Sequence, residues 1–265
     1  MTSRDERVAK YMKTTPPIKR WLSVVVVLAL VVWSFIFTGF SVGDLLYGVP
    51  QMVALVQDMF PPNWGYFSEI FEPMIETVRM AVVGTFIGAI LSIPISLLCA
   101  TNITQSSFIS IPARFILNIV RTIPDLLLAA IFVAIFGIGQ IPGILALIIL
   151  TISVISKLMY ESLEGIDNGP LEAMKAVGAN KIKWIAFGVV PQAIASYMSY
   201  VLYAFEINIR AAAVLGLVGA GGIGLFYDHT LGLFQYQKTM TIILFTLIIV
   251  VIIDIVSQKV RERLI

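Results

Sequence analysis

Charged side chains are scarce in this sequence, so those inside apolar runs are the first candidates for chemistry. The run from Ile194 to Leu217 carries Glu206, Asn208 and Arg210. A charge in an apolar segment of membrane length is costly and normally faces a bundle interior or a water-filled path. Glu206 and Arg210 lie four residues apart and can pair on one helix, with Asn208 on a different face. Two uses are open for the pair: an element of a translocation path or gate, or a purely structural ion pair. Arg121 and Asp125 form a second arrangement of the same spacing, nearer the cytoplasmic end of its run, where the arginine can snorkel. The stretch from Gly219 to Gly224 satisfies G-x-G-x-x-G. Dinucleotide binding by that signature needs a preceding strand and a βαβ unit, and here an apolar span precedes it. Gly219, Gly221, Gly222 and Gly224 instead let the backbone break and turn near the outer membrane face, where irregular chain persists only if buried in protein or lining a cavity. Close helix contact through small residues is the competing reading, and Gly84 with Gly88, a G-x-x-x-G pair, suits it too.

Other chemistries lack their residues. No Gly-Lys pair occurs anywhere, which excludes a Walker A loop and an ATPase of that type. The single histidine, His229, has no orienting or nucleophilic partner at a recognisable spacing. The single cysteine, Cys99, lies in an apolar run and reads as a small packing residue, with no intrachain disulfide or metal cluster possible. No catalytic residue and no metal site are expected.

The elements that must position these residues are membrane spans. Hydrophobic residues make up 58% of the 265 and charged residues only 13%, about half the share usual in soluble domains. The net charge of +2 provides no basic field for nucleic acid. Trp21 to Phe40 has the ~20 residues a helix needs to cross ~30 Å of hydrocarbon, and no small-residue cleavage site follows it, so it reads as a span and not a signal peptide. Thr77 to Ala100, Phe115 to Phe136, Ile141 to Ile155 with its continuation to Tyr160, Ile194 to Leu217 and Met240 to Val256 bring the total to about six. The fold class expected is therefore all-α, a polytopic membrane protein.

Lysine and arginine placement orients it. Arg4, Arg7, Lys10, Lys13, Lys19 and Arg20 precede the first span, whereas Ser41 to Pro73 contains neither residue type. Lys157 lies in the continuation of the fourth span, Lys175, Lys181 and Lys183 follow it, and Lys259, Arg261 and Arg263 end the chain. Both termini are thus expected in the cytoplasm, with residues 1–20 a cytoplasmic segment and 21–265 the transmembrane domain. Ser41 to Pro73, with Trp64, Tyr66 and Phe67, reads either as an interfacial segment on the outer face or as a plain connector. Gly137 to Gln140 predicts a tight hairpin between two spans.

The polar segment between the fourth and fifth spans, within 161–191, carries its own helix signals. Asp167 or Asn168 can cap, Pro170 suits a first turn, Glu172 sits where the helix dipole favours an anion, and Gly178 can take the left-handed conformation that ends a helix. A helix, a turn at Gly178 and a second helix through Trp184 to Pro191 follow. The rhythm matches a DNA-binding helix-turn-helix, but tethering both ends to spans obstructs groove access. Ala173, Met174, Ala176 and Val177 give the first helix a small apolar face of the kind that docks into a partner's groove.

This segment resembles the permeases of ABC importers, whose signature is E-A-A, three residues, Gly, nine residues, I-x-L-P. Glu172, Ala173, Gly178 and Pro191 match at that spacing, whereas Met174, Gly188 and Val190 depart from it. The resemblance runs over about Glu76 to Ile265 and narrows to phosphonate-type permeases through Asn118 to Pro124, Lys157 to Asp167, Asn208 to Arg210 and Val214 to Gly224. It implies a type I importer permease-like fold and uptake of a phosphonate or related oxyanion such as phosphate or phosphite, delivered by an extracellular binding protein. It further implies a bacterial inner-membrane location and a second permease copy as a homodimer. Two cytoplasmic ATPase subunits would hold ATP and Mg, and this chain no cofactor. Glu172, Ala173, Gly178 and Pro191 would couple to the ATPase; Arg121, Glu206, Asn208, Arg210 and the four glycines would serve the path or gate. A proton-coupled secondary transporter, in which Glu206 titrates, is the alternative. An intramembrane enzyme lacks a catalytic constellation.

Overall fold

The structure, a computed structural model, describes residues 17–264. Residues 1–16, most of the expected cytoplasmic N-terminal segment, lie outside the described residues. Among those described, every regular element is helical. The chain divides into two units, Met1–Gln57 and Asp58–Ile265.

In the first unit, helix α1 (Pro17–Phe37) and helix α2 (Val42–Asp58) meet at a 57° bend, with Gly39 in the left-handed region between them. Trp21, Val24, Val25, Leu28, Trp33 and Ile36 are all exposed, so α1 is apolar on every side. Such a helix is stable only in lipid or protein. The stretch beginning at Ser41, expected as an interfacial segment or connector, is largely the helix α2, with Pro50 inside it.

The second unit is a bundle of helices α3 (Phe67–Cys99), α4 (Thr101–Thr104), α5 (Ser107–Thr122), α6 (Asp125–Phe136), α7 (Gln140–Glu164), α8 (Asn168–Ala176), α9 (Lys181–Trp184), α10 (Val190–Leu215), α11 (Ile223–Gly232) and α12 (Tyr236–Glu262). Among the described residues, four helical stretches are long and apolar enough to cross a membrane, and up to six if each bent pair is one span. The count of about six therefore holds, but two boundaries differ from expectation. Helix α3 has 33 residues and begins ten before Thr77. Backbone hydrogen bonding, not hydropathy, ends a helix, so the polar turns with Glu69, Glu72 and Glu76 extend it past the apolar layer. The run Phe115 to Phe136, expected as one span, is broken by an 86° bend between α5 and α6. Pro124 has no N–H to donate and forces Ile123 out of the helical region, where it sits at φ −75°, ψ 122°.

Small residues set the packing of the central helices. A Cβ on Gly84 would lie 2.6 Å from Leu147 Cβ and one on Gly88 would lie 2.5 Å from Thr151 Cβ, so the G-x-x-x-G pair is where α3 seats on α7. Ala81, Ala129, Ala146, Ala212 and Ala220 fill the core around them with Met80, Leu147, Ile209 and Leu215. Lipid tails are as apolar as leucine, so close backbone approach and dispersion, not water exclusion, hold these helices together.

Candidate translocation cleft and coupling hairpin

The α5–α6 break creates a cleft. Arg121, Thr122, Ile123, Pro124 and Asp125 form one wall and Ile207, Arg210, Ala211 and Val214 of α10 form the other, around a space of about 640 Å³. Arg121 and Arg210, singled out in the sequence for separate reasons, are thus brought to one opening. Arg121 is exposed and in no ion pair among the described residues. It does not pair with Asp125, because the bend at Pro124 ends the helical register that would align the two.

The expected Glu206–Arg210 pair also does not form. Both side chains turn to α12: Arg261 Nη2 donates to Glu206 Oε1, and Arg210 Nη1 lies 3.6 Å from Asp254 Oδ2. Residues 206 and 210 ascend α10 while 261 and 254 descend α12, as antiparallel helices require. The i, i+4 rule describes an isolated helix; in a packed bundle a facing helix can offer a better partner, as α12 does here. Asp254 and Arg261 were missed in this role. An acidic residue within the last apolar run was the available signal for Asp254.

Asn208 is fully buried and faces away from the cleft. Its Nδ2 donates to Thr85 Oγ1 (2.7 Å) and Thr151 Oγ1 (2.6 Å), tying α10 to α3 and α7. Each threonine hydroxyl in turn donates to its own i−4 carbonyl, Ala81 O and Leu147 O. Asn208 thus occupies a structural knot, while the path assignment made with it rests on Arg121 and Arg210.

The glycine stretch turns the chain at the end of α10. Gly219, Gly221 and Gly222 all have positive φ. A Cβ on Gly222 would lie 2.5 Å from Thr77 Oγ1, because α3 comes up against the start of α11: Gly222 N–H donates to Glu76 Oε1 (2.9 Å) and Ile223 N–H to Thr77 Oγ1 (2.8 Å). A carboxylate and a hydroxyl from α3 thereby satisfy the amides at the N-terminus of α11, a favourable place for negative charge. Gly224 serves packing instead, its Cα 2.5 Å from where a Gly216 Cβ would be. The glycines thus turn the backbone at Gly219, Gly221 and Gly222 and permit close packing at Gly224. Gly139 N–H donates to Gly219 O (3.0 Å), which joins this turn to the expected tight hairpin between α6 and α7. The exposed His229 sits on α11.

The hairpin expected within 161–191 forms as its signals predict. Asp167 caps α8, accepting from Gly169 N (3.0 Å); Gly178 has φ +72°, and Ala179 N–H returns to Met174 O (3.0 Å). Asn180 caps α9 through Lys183 N (2.9 Å). Trp184 is buried, its Nε1 donates to Leu171 O (2.9 Å), and Lys175 and Lys181 stand over its ring. This locks the two arms together. The second arm passes through a π-helical turn, Ile185–Val189, into α10, with Pro191 in the first turn of that helix. Leu171 packs inward with Met174, whereas Glu172, Ala173, Ala176, Val177 and Ile182 are exposed. A rigid hairpin continuous with a long helix thus presents a small, partly apolar outer face.

Known proteins resemble this chain over most of its length. The family described as binding-protein-dependent transport system inner membrane component matches residues 92–265. The phosphite transport system permease protein PtxC of Stutzerimonas stutzeri is 33% identical over 219 residues, covering 83% of this chain and 80% of that protein. The phosphate-import permease protein PhnE of Mycolicibacterium smegmatis is 36% identical over 83% of this chain and 41% of its own. A putative cryptic phosphonate permease of Escherichia coli, PhnE2, is 44% identical over 46% of this chain and 99% of its own. Among solved structures, the inward-facing MetNI methionine ABC transporter superposes with a TM-score of 0.68 at 22% identity, over 77% of this chain and 99% of that one. The all-helical fold is therefore that of an ABC importer permease, and the chain belongs to the family of binding-protein-dependent transport system inner membrane components.

Proposed function

We propose that this chain is the membrane-spanning permease of an ATP-driven importer for a phosphorus oxyanion: phosphonate, phosphite or phosphate. The observation that carries the reading is the pair of guanidinium groups, Arg121 and Arg210, on one cleft at the broken span. Guanidinium is always charged and matches a tetrahedral oxyanion with paired donors. The relatives that carry phosphite and phosphate permease names support the same substrate class. The glycine turn, with Gly219, Gly221, Gly222 and Gly224, forms the gate beside this path.

Work is done elsewhere. Two cytoplasmic ATPase subunits, binding ATP and Mg, dock on the hairpin at Glu172, Ala173 and Gly178, and Pro191 starts the helix that carries their motion to Arg210. An extracellular binding protein delivers the anion, and two copies of this chain enclose the path. Both termini lie in the cytoplasm, so a cysteine introduced between Ser41 and Pro73 in a Cys99-free background reacts with an impermeant reagent from outside, and one near Lys181 does not. The proton-coupled alternative is not favoured: Glu206, which would have to titrate, is engaged by Arg261. Uptake of labelled phosphate, phosphite and methylphosphonate by the reconstituted complex tests the reading. Arg121→Gln and Arg210→Gln should each lower uptake while the complex still assembles, and normal uptake by both would reject the path.

A further inference from the structure

Two ion pairs join α10 to α12, and they differ in kind. Glu206 and Arg261 are in hydrogen-bond contact, with side chains 12% and 31% exposed. Arg210 and Asp254 are 3.6 Å apart, beyond hydrogen-bonding range, with side chains 50% and 42% exposed. Asp254 Oδ1 is nevertheless buried and without a hydrogen-bond partner. The first pair clamps the helices, and the second is loose. Its arginine is also the one that lines the cleft, where Arg121 stands in no ion pair among the described residues and Asp125 is the acidic group of the wall.

We propose that Asp254 is the resting counter-ion of Arg210, a positioning residue that holds this guanidinium when the path is empty and retakes it after an oxyanion has passed. The proposal rests on the reading of the cleft as an oxyanion path. An arriving phosphorus oxyanion offers Arg210 two close, charge-assisted hydrogen bonds, which the 3.6 Å contact with Asp254 does not. It therefore displaces Asp254 without having to break a hydrogen bond. Once the helices move, Asp254 competes for the same guanidinium and hastens release. Asp254 would thus set how long the anion dwells, whereas Arg121 and Arg210 set whether it binds.

The test uses the complete complex of permease, ATPase and binding protein, with inorganic phosphate and phosphite as probes. Two quantities are read: turnover at saturating loaded binding protein, and labelled anion retained by the purified permease–ATPase complex. Asp254→Asn should retain about two- to fivefold more anion, the range of a partly exposed ion pair, and turn over correspondingly more slowly. Asp254→Ser should do the same, and Asp254→Glu should restore both. Slower turnover without extra retained anion, or failure of both neutral variants to assemble, would make the pair merely structural and overturn the proposal. Arg210→Gln separates the two levels of the argument. Should Arg210→Gln and Arg121→Gln transport normally, the path reading itself falls; should they fail while Asp254→Asn behaves as wild type, only the counter-ion proposal falls.

Discussion

Replacing Asn208 by alanine tests whether the centre of the bundle is held by a polar knot or lines the path. The substitution removes two hydrogen bonds, to Thr85 and Thr151, at a fully buried position. Interhelical hydrogen bonds in membranes contribute about 0.6 kcal/mol on average and up to about 1.7, which sets the expected loss at about 1–3 kcal/mol. The value should fall in the lower half of that range. Both threonine hydroxyls keep their own i−4 carbonyl acceptors, so no donor is stranded. The Asn208 Oδ1 is itself buried without a partner, and its removal recovers part of the cost. Equilibrium unfolding in mixed micelles reads the stability, and uptake normalised to folded permease reads the function. Asn208→Ala should shift the unfolding equilibrium by about tenfold, since 1.4 kcal/mol is one decade, and leave uptake per folded molecule near wild type. Unchanged stability with abolished uptake would refute the assignment and return Asn208 to the path.

Three further outcomes follow from the same geometry. Gly178→Val should reach the membrane yet fail in uptake or lose its ATPase, because a branched residue is strained at φ +72°, whereas Gly178→Asn, which tolerates that region, should retain most activity; co-purification of the ATPase together with uptake checks both. Glu206→Gln and Arg261→Gln should each destabilise the permease more than the double variant does, since each single change leaves an unpaired charge at a contact whose carboxylate is only 12% exposed. Gly88→Leu should abolish folding, measured as membrane abundance, because even its Cβ would lie 2.5 Å from Thr151 Cβ.

Hydropathy made the spans legible because a helix in lipid must be apolar over a fixed length, and capping residues made the hairpin legible because Asp167, Gly178 and Asn180 act within a few residues of their own position. Partner choice across helices was not legible in the same way. The i, i+4 spacing joined Glu206 to Arg210, and only the packed bundle brings Arg261 and Asp254, 55 and 44 residues away, within reach. Pro124 is a readable sign of a break, but the run around it, apolar apart from Asn118, Arg121, Thr122 and Asp125, is long enough to read as one span. The cleft that the break opens depends on an 86° angle that no local pattern encodes. Glu76 shows the reverse case: an acid in the polar first half of α3 is unremarkable in sequence and becomes meaningful only against the amides of Gly222 and its neighbour.

The central claim, an oxyanion path driven by ATP through the hairpin, is tested most directly by energising reconstituted uptake in two ways. The permease, its ATPase and its loaded binding protein are placed in sealed proteoliposomes, and accumulation of labelled phosphate or phosphite is followed with ATP and Mg on the hairpin side, or with a pH gradient and no ATP. Accumulation with ATP, its loss when hydrolysis is blocked, and none with the pH gradient alone is the result expected here. Uptake that follows the pH gradient without ATP, and disappears in Glu206→Gln, would contradict it.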